Sequence, residues 1–326
     1  MNPSALTHPL STTGVVEMAV LERSGLIESR HLGAAVVVGP DGSVLRALGD
    51  ADALVYPRSS LKLLQAVTVL RAGVELDGEQ LVLATASHCG SEAHQRVVEA
   101  MLASGGFSEA DLGCPADWPS DPDAAARARL HGGKRKLAMN CSGKHASFLL
   151  ACASRGWSTA NYLDPAHPLQ VMIRETVEEF TGQSVGTVGV DGCGAPLFGI
   201  SLRALATAAS RVAQARDEHT ARLSAAIREH AWAIDGPGRV NTTVIDELGI
   251  IAKLGAEGVN VMANADGTAV AVKMLDGSAR ATTMVSLRLL ADAGAIDRTA
   301  AEAVAERTAE PVLGGGIPVG SLRVAF

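Results

Sequence analysis

The chain has 326 residues, of which 47 % are hydrophobic and 19 % are charged, and its formal net charge is −7. A hydrophobic fraction near one half is enough to bury a sizeable core, which excludes an intrinsically disordered chain. The negative charge argues against a nucleic-acid or acidic-membrane partner, and an aromatic content of 3 % argues against base-stacking platforms. The length fits one large domain or two.

Lysines and cysteines are both informative because they are few. Only six of the 28 basic residues are lysines, so each lysine is a candidate for a specific role. Five cysteines are an odd number, no export signal is recognised in the first 20 residues, and no run of 18 apolar residues occurs. We therefore expect free thiols, a cytoplasmic protein and no membrane span.

The hydrophobic pattern and the turn residues of the first 72 positions predict strands followed by a helix. Strands are predicted over residues 15–26 and 34–38, and a turn at residues 39–42 joins the second strand to another over residues 43–48. Pro57 followed by two serines is a good helix start, and apolar residues at helical spacing predict a helix over residues 61–72.

The rest of the chain is predicted to be helical in the middle and to return to strands. Residues 79–231 have mainly helical patterns, residues 258–264 and 268–275 form a strand, turn and strand, and a turn at residues 276–277 leads to another segment over residues 279–285. A last strand is predicted over residues 321–325. Strands at both ends and helices between them predict an α+β fold, in which the terminal strands share one sheet.

Ser59 and Lys62 form an S-x-x-K pair at the start of a predicted helix, so they share one helix face. A serine hydroxyl is a weak nucleophile until a base removes its proton, and a lysine can be that base when its pKa falls. The pair therefore offers a nucleophile and a base together. The alternative is a capping serine beside a solvated lysine, although Lys62 lies inside an apolar run.

Three polar, glycine-bearing loops carry further candidates. Ser87 and His88 can donate hydrogen bonds to a substrate or relay a proton, unless they only build a turn. Cys141 and Cys193 lie in two separate loops, and two thiolates can bind a soft metal such as zinc if another ligand joins them. Two unrelated buried thiols are the alternative. Asp191 is either a ligand for an ammonium group or a turn residue.

The last candidates lie near the C-terminal strands. Lys273 interrupts an otherwise apolar strand, where burying its charge is costly unless a partner compensates it. Exposure on the outer face of the strand is the alternative. Arg280 follows the next turn and can bind a carboxylate.

Taken together, these motifs resemble the asparaginase II family, the bacterial thermolabile type. The resemblance covers nearly the whole chain in order. Its main motifs are YPRSSLK at residues 56–62, ASH at 86–88, NCSGKHA at 140–146, DPAHP at 164–168 and VDGCG at 190–194. Residues 23–31, residues 255–258 and Lys273 also match the family pattern. The sequence departs from the family pattern at Cys89 and Ser91, which puts the substrate preference in question.

The resemblance implies hydrolysis of L-asparagine to L-aspartate and ammonia, a fold similar to serine β-lactamases and glutaminases, and a homodimer. It implies that the sheet comes from about residues 14–55 and 255–326 and the helical part from about residues 56–254, all within a single catalytic unit over residues 1–326. It also implies a zinc ion held by Cys141, Lys144 and Cys193, with no organic cofactor.

On this basis, neutral Lys62 is expected to deprotonate Ser59, which attacks the side-chain amide and forms an ester that water hydrolyses. Lys273 and Ser87 would carry protons or stabilise the oxyanion, and the two Ser–Lys pairs can exchange roles. The substrate-binding residues are expected to be His88, Asp191 for the ammonium group, and Arg58 or Arg280 for the carboxylate.

Two other functions stay open at this point. One is a glutaminase-like or penicillin-interacting acyl hydrolase that uses the same serine and lysine residues. The other is an amino-acid sensor without catalytic activity, which the intact Ser59–Lys62 pair disfavours. Hydrolysis assays distinguish all three.

Overall fold

The computed structural model describes residues 8–326. Residues 1–7 lie outside the described residues. The prediction that the first 20 residues contain no export signal falls partly on this segment. The strands are β1 (Val16–Arg23), β2 (Leu26–Val38), β3 (Val44–Leu48), β4 (Leu54–Val55), β5 (Thr187–Val190), β6 (Pro196–Ser201), β7 (Ile251–Gly255), β8 (Val259–Ala263), β9 (Ala269–Met274), β10 (Val312–Gly314) and β11 (Ile317–Val324).

The α-helices and three short 3₁₀ turns fill most of the chain between these strands. The helices are α1 (Lys62–Arg71), α2 (Gly78–Thr85), α3 (Glu92–Ser104), α4 (Pro122–His131), α5 (Ser142–Arg155), α6 (Pro168–Thr181), α7 (Leu202–Ala213), α8 (Glu218–Glu229), α9 (Val240–Leu248), α10 (Thr282–Asp292) and α11 (Arg298–Thr308). The 3₁₀ turns are Arg58–Leu61, Glu109–Asp111 and Ala231–Ile234. No helix among the described residues is both long enough and apolar enough to cross a membrane.

The chain divides into two compact units, and the first contains the large sheet. This unit comprises the residues up to Ser60, Gly199–Gln214 and Thr243–Phe326. Its strands run in the order β10-β11-β1-β2-β9-β8-β7, β3 pairs with β2, and these pairings are antiparallel. Helix α7 packs on β2, β9 and β8. Helix α10 packs on β9 and β8 and also contacts α11. The core of the unit lies between these helices and the sheet.

The second unit is mainly helical and comprises Leu61–Phe198 and Ala215–Thr242. Helices α1 and α2 lie at its centre, because α1 contacts α6 and α5 while α2 contacts α5, α8 and α3. Every residue of α1 except Arg71 is buried, so this helix is apolar on all sides apart from a few polar groups. A helix of this kind is typical of a domain interior.

The predicted α+β fold is confirmed, with the sheet built from N- and C-terminal strands. The central pairing joins β2 to β9, for example Ala34 opposite Lys273, and β1 pairs with the C-terminal strand β11. The predicted hairpins at residues 34–48 and 258–275 are also confirmed, as β2–β3 and β8–β9. The helix predicted over residues 61–72 is α1.

One predicted strand is wrong in its extent. The strand predicted over residues 15–26 ends at Arg23, because Ser24 and Gly25 both adopt positive φ (49° and 85°) and form a tight hairpin turn, after which β2 begins at Leu26. The segment predicted over residues 279–285 contains the start of α10 at Thr282. The β-branched residues of this segment favour a strand locally, but burial of one helix face against β8 and β9 overrides that preference.

Candidate functional site

Lys62 is the first residue of α1 and is only 1 % exposed. Its Nζ donates to the carbonyl oxygen of Ala86 at 2.5 Å and lies 3.1 Å from Oγ of Ser87. Such burial is costly for a lysine unless its amine is hydrogen-bonded, as it is here. The second unit therefore holds a lysine amine against a serine hydroxyl, which is the contact that proton transfer between them requires.

The Ser87 loop follows α2 and is fixed by its own backbone. The amides of Ser87 and Cys89 donate to the carbonyl oxygens of Ile234 and Asp235 at 3.0 and 2.8 Å. The amide of His88 donates to the carbonyl oxygen of Asn140 at 3.2 Å. Because carbonyl groups of two different segments accept hydrogen bonds from three consecutive amides, the loop is fixed. The half-buried Ser87 hydroxyl therefore has a defined position.

His88 is 1 % exposed, and both of its ring nitrogens are already bonded. The amide of Gly90 donates to Nδ1 at 3.1 Å, so Nε2 carries the proton and donates to Oγ of Ser142 at 2.9 Å. Burial, aided by the nearby His94 and Lys62, holds the pKa of this imidazole well below its ordinary value. His88 thus connects the Ser87 loop to the start of α5, and we place it among the positioning residues rather than the groups that contact a substrate.

Cys141, Lys144, Asp191 and Cys193 form a buried cluster that we call the thiol cluster. Cys141 precedes α5 and Lys144 lies in its first turn, while Asp191 and Cys193 lie in the turn between β5 and β6. Nζ of Lys144 is 2.9 Å from Sγ of Cys193. The ligand atoms of Cys141, Asp191 and Cys193 all lie within 4.8 Å of one another, and no other such group of three occurs in residues 8–326.

The two thiols of the cluster hold their protons unequally. A hydrogen bond from Cys193 lowers the pKa of Cys141 far below its ordinary value despite burial, and the charges of Lys62 and Lys144 add to this effect. The same bond, with burial, raises the pKa of Cys193. Burial alone lowers the pKa of Lys144, but the two sulfurs outweigh burial and the net shift is upward. Cys193 and the two lysine amines therefore favour the deprotonated form of the Cys141 sulfur.

This donor set fits a soft divalent metal ion. Two cysteine sulfurs, a lysine amine and a carboxylate supply four potential ligand atoms, and zinc prefers sulfur and nitrogen donors in a tetrahedral arrangement. The lowered pKa of Cys141 favours this fit, because cysteine must be deprotonated to ligate. Asp191, expected to bind a substrate ammonium group, is also placed to act as a ligand.

The remaining candidates lie in the first unit. Lys273, on β9, donates through Nζ to the carbonyl oxygens of Glu257 and Met274 at 2.5 and 2.6 Å. Burial lowers the pKa of Lys273, against the opposing charges of Glu257 and Asp276. The backbone of β9 is closely packed here, because a Cβ at Gly33 would lie 2.5 Å from the Lys273 carbonyl oxygen. Lys273 is therefore held on a rigid strand.

Two arginines and Ser59 complete this set. Arg58 has a positive φ of 51°, which is rare for a residue with a side chain, and its guanidinium lies 3.9 Å from the Glu257 carboxylate. Ser59 follows it in the 3₁₀ turn before α1 and is half-buried. Arg280 lies 3.7 Å from Glu310. Both contacts are longer than a direct hydrogen bond.

The sequence analysis missed the residues that surround the thiol cluster. His145 follows Lys144 in the NCSGKHA motif but has no predicted role, and Tyr162 carries no signal in the sequence, although its hydroxyl lies 2.8 Å from Nδ1 of His145. Cys114 is buried near Cys193, and burial raises the pKa of its thiol to about 11. Tyr162 and Cys114 lie on segments far from the cysteine motifs in the sequence, so only folding brings them together.

His94 provides a test of stability against pH. It is fully buried, stacks on His88 with ring centroids 5.0 Å apart and contacts the tilted ring of Trp232 at 4.9 Å, and burial lowers its pKa to about 4. The unfolded chain binds a proton near pH 6.5 that the folded chain binds only near pH 4, so acidification favours unfolding. Between pH 7 and pH 5, this residue should remove about 2 kcal/mol from the free energy of unfolding.

Urea unfolding at both pH values measures the effect. The variant His94→Phe keeps an aromatic ring in the stack but has no titrating group, so it should lose about 2 kcal/mol less than wild type over this pH interval. His131→Phe, at an exposed position of α4, is the matched control and should keep the wild-type slope. Equal slopes for wild type and His94→Phe would contradict the argument.

Comparison with known proteins identifies the family. The model of the L-asparaginase II family matches residues 19–324, nearly the whole chain. No curated protein matches. Among solved structures, the chain resembles a β-lactamase from Mycobacterium bovis, with 17 % identity, a TM-score of 0.42 and coverage of 80 % of this chain and 94 % of that one. It also resembles a Bacillus glutaminase, with 10 % identity, a TM-score of 0.37 and coverage of 80 % and 91 %.

The family match spans Ser59, Lys62, Ser87, the whole thiol cluster and Lys273. The match supports an amidohydrolase, and the chain belongs to the L-asparaginase II family.

Proposed function

We propose that this enzyme hydrolyses the side-chain amide of L-asparagine to L-aspartate and ammonia. The observation that carries the proposal is the buried amine of Lys62, 3.1 Å from the hydroxyl of Ser87 and one helical turn after Ser59 in the chain. A lysine placed in this way is suited to exchange protons with serine hydroxyls. Family membership supports an amide as the substrate and asparagine as the amino acid.

In the proposed reaction, Lys62 accepts the proton of Ser59 as the Ser59 oxygen bonds to the side-chain amide carbon. The C–N bond then breaks, and a proton passes to the departing nitrogen, which leaves as ammonia. Ser87, in contact with Lys62, is suited to relay that proton. Water attacks the resulting β-aspartyl ester, Lys62 accepts a proton from this water, and L-aspartate is released as the serine regains its hydrogen.

Lys273 and the charged side chains would orient the substrate. The ammonium group of Lys273 already donates to two carbonyl oxygens and can stabilise negative charge that develops on the amide oxygen. We assign the substrate carboxylate to Arg58 or Arg280, whose present carboxylate partners are 3.9 and 3.7 Å away. Asp191 is proposed for the ammonium group of the substrate, unless it ligates the metal.

We propose that zinc is held by Cys141, Lys144 and Cys193. When bound, zinc supplies a concentrated positive charge that polarises nearby oxygen atoms. Lys144 can ligate only as the neutral amine, whereas its pKa is raised in the metal-free cluster, so binding must displace a proton. Zinc affinity should therefore weaken as the pH falls.

The remaining proposals concern the setting of the enzyme. The five cysteines are all free thiols, which supports a reducing, cytoplasmic compartment. The homodimer implied by the family is proposed as the solution state, and light scattering after size-exclusion chromatography would measure it.

The function is tested by ammonia release from asparagine and glutamine, with nitrocefin as a β-lactam probe. We expect the largest kcat/KM with asparagine, and a mass increase on Ser59 or Ser87 after trapping with a slow acyl substrate. Ser59→Ala should abolish ammonia release, and Ser104→Ala, at an exposed position of α3, should not change it. Preference for glutamine or nitrocefin would favour the other acyl hydrolases, whereas binding of asparagine without ammonia release would favour the sensor.

A further inference from the structure

A chain of hydrogen bonds leads from the backbone to the thiol cluster through Tyr162 and His145. The amide of Gly113 donates to Oη of Tyr162 at 2.7 Å, and this oxygen lies 2.8 Å from Nδ1 of His145. Tyr162 is 3 % exposed and His145 is fully buried. Both belong to the second unit, and His145 directly follows Lys144 in the first turn of α5.

The proton positions along this chain can be worked out. Burial raises the pKa of Tyr162, so its hydroxyl keeps a hydrogen that needs an acceptor. Among the described residues, the only acceptor within hydrogen-bond distance is Nδ1 of His145. A ring that accepts this hydrogen at Nδ1 carries its own hydrogen on Nε2.

The Nε2–H group of His145 has one partner available. Nε2 is buried and makes no well-formed hydrogen bond within residues 8–326. The thiol of Cys193 is nonetheless close enough for a hydrogen bond between them to influence both groups. A buried donor without a good partner is costly, and the nearby Cys193 sulfur, which Lys144 also contacts at 2.9 Å, can accept its hydrogen.

We propose that His145 is a positioning residue that donates a hydrogen bond through Nε2–H to the sulfur of Cys193, and that Tyr162 fixes the tautomer that makes this possible. The role rests on the proposed metal-binding function of the thiol cluster. A nitrogen that carries hydrogen cannot bind a cation, so His145 is excluded as a ligand in this tautomer. Its function is instead to orient the Cys193 lone pairs and to tune the sulfur, as outer hydrogen-bond partners do in metal sites.

Three variants separate this role from simple packing. Tyr162→Phe keeps the ring but removes the hydroxyl that fixes the tautomer. His145→Leu removes the donor, whereas His145→Gln keeps an N–H group near the position of Nε2. His167→Gln is the matched control, because His167 is another buried histidine of the second unit, and its ring is bonded only to Ser158 and Leu169.

Two measurements are made on each protein, and neither requires turnover of asparagine. Cobalt(II) titration with a competing chelator gives the dissociation constant, and the thiolate-to-cobalt charge-transfer absorption reports on the sulfurs. We expect Tyr162→Phe and His145→Leu to bind cobalt about 10-fold or more weakly, and His145→Gln and His167→Gln to stay within about 3-fold of wild type. NMR of ¹⁵N-labelled histidine should show hydrogen on Nε2 of His145 in wild type and a mixture of tautomers in Tyr162→Phe.

The outcomes distinguish this proposal from the proposed enzymatic function. An Nδ1–H tautomer of His145 in wild type would overturn the proposal, as would wild-type cobalt binding by His145→Leu or failure of glutamine to rescue. Absence of cobalt binding by the wild-type protein would overturn it together with the zinc assignment. If the expected order of affinities holds but no ammonia is released from asparagine, the role of His145 stands and the proposed reaction does not. Circular dichroism confirms that each variant is folded.

Discussion

The Lys62→Arg enzyme is expected to release ammonia from L-asparagine about a thousandfold more slowly than wild type, within the range for loss of a general base. Arginine keeps its positive charge at every pH at which proteins fold, so it can donate hydrogen bonds but cannot accept the serine proton. The Lys62 amine, by contrast, contacts Ser87 directly, and an uncharged amine can accept a proton. The measurement is kcat/KM for ammonia release at saturating metal.

The larger guanidinium at a fully buried position could also disturb packing. Lys62→Met is therefore made as a second variant, since methionine is close in length, uncharged and adaptable in a core. It should fold and be equally inactive. Lys134→Arg is the control, because Lys134 lies on an exposed loop and pairs only loosely with Asp117 at 3.9 Å. It should retain wild-type activity. Activity within tenfold of wild type in folded Lys62→Met would refute the proposed base.

The small number of lysines made this site recognisable from the sequence. Arginine occupies most basic positions, yet Lys62, Lys144 and Lys273 all fall within the family motifs. The structure places the first two against Ser87 and Cys193, and the third against two carbonyl oxygens. Each of these roles needs a compact amine, and a role as base or ligand also needs one that can lose its proton.

Some parts of the fold could be predicted because local signals and tertiary packing agree. The helix start after Pro57 and the hairpin around residues 39–42 are examples, since proline, serine and glycine favour the same conformations that the fold uses. At residues 279–285 the two disagree, because Thr282 and Thr283 favour a strand while packing against β8 and β9 favours a helix. Sequence patterns alone do not resolve such a conflict.

The site could be predicted only as far as its motifs reach along the chain. Spacing paired Lys62 with Ser59, but the hydroxyl seen in contact with its amine is that of Ser87, 25 residues away. The sequence predicts that His88 binds the substrate. In the structure, the amide of Gly90 donates to one ring nitrogen of His88, and the other ring nitrogen donates to the hydroxyl of Ser142. Hydrogen-bond direction and burial decide such roles, and both depend on the tertiary structure.

Cys141→Ala is expected to weaken zinc binding by more than about 100-fold, since the loss of a ligand should cost more than the loss of an outer partner. Ammonia release should fall in proportion to the metal that is lost. Treatment of the wild-type enzyme with a chelator should reproduce the same loss of activity, and added zinc should reverse it. Competition with a coloured chelator measures the affinity, and elemental analysis measures the metal content.

The same substitution should destabilise the metal-free protein. The hydrogen bond from Cys193 and the charges of Lys62 and Lys144 lower the pKa of Cys141, so its removal takes away a sulfur that compensates two buried amines. Breaking a buried pair of this kind typically costs about 3 kcal/mol or more in the free energy of unfolding, measured here by urea unfolding in the presence of a chelator.

Cys152→Ala is the control for both effects. Cys152 is a fully buried thiol on α5, outside the thiol cluster, and burial raises its pKa to about 11, so it stays neutral. Its replacement should cost only about 1 kcal/mol of packing and leave zinc affinity unchanged. If Cys141→Ala bound zinc as tightly as Cys152→Ala does, the metal would have to lie elsewhere. A Cys141→Ala protein that is less stable but binds zinc normally would mean that the Cys141 sulfur only compensates the charges of Lys62 and Lys144.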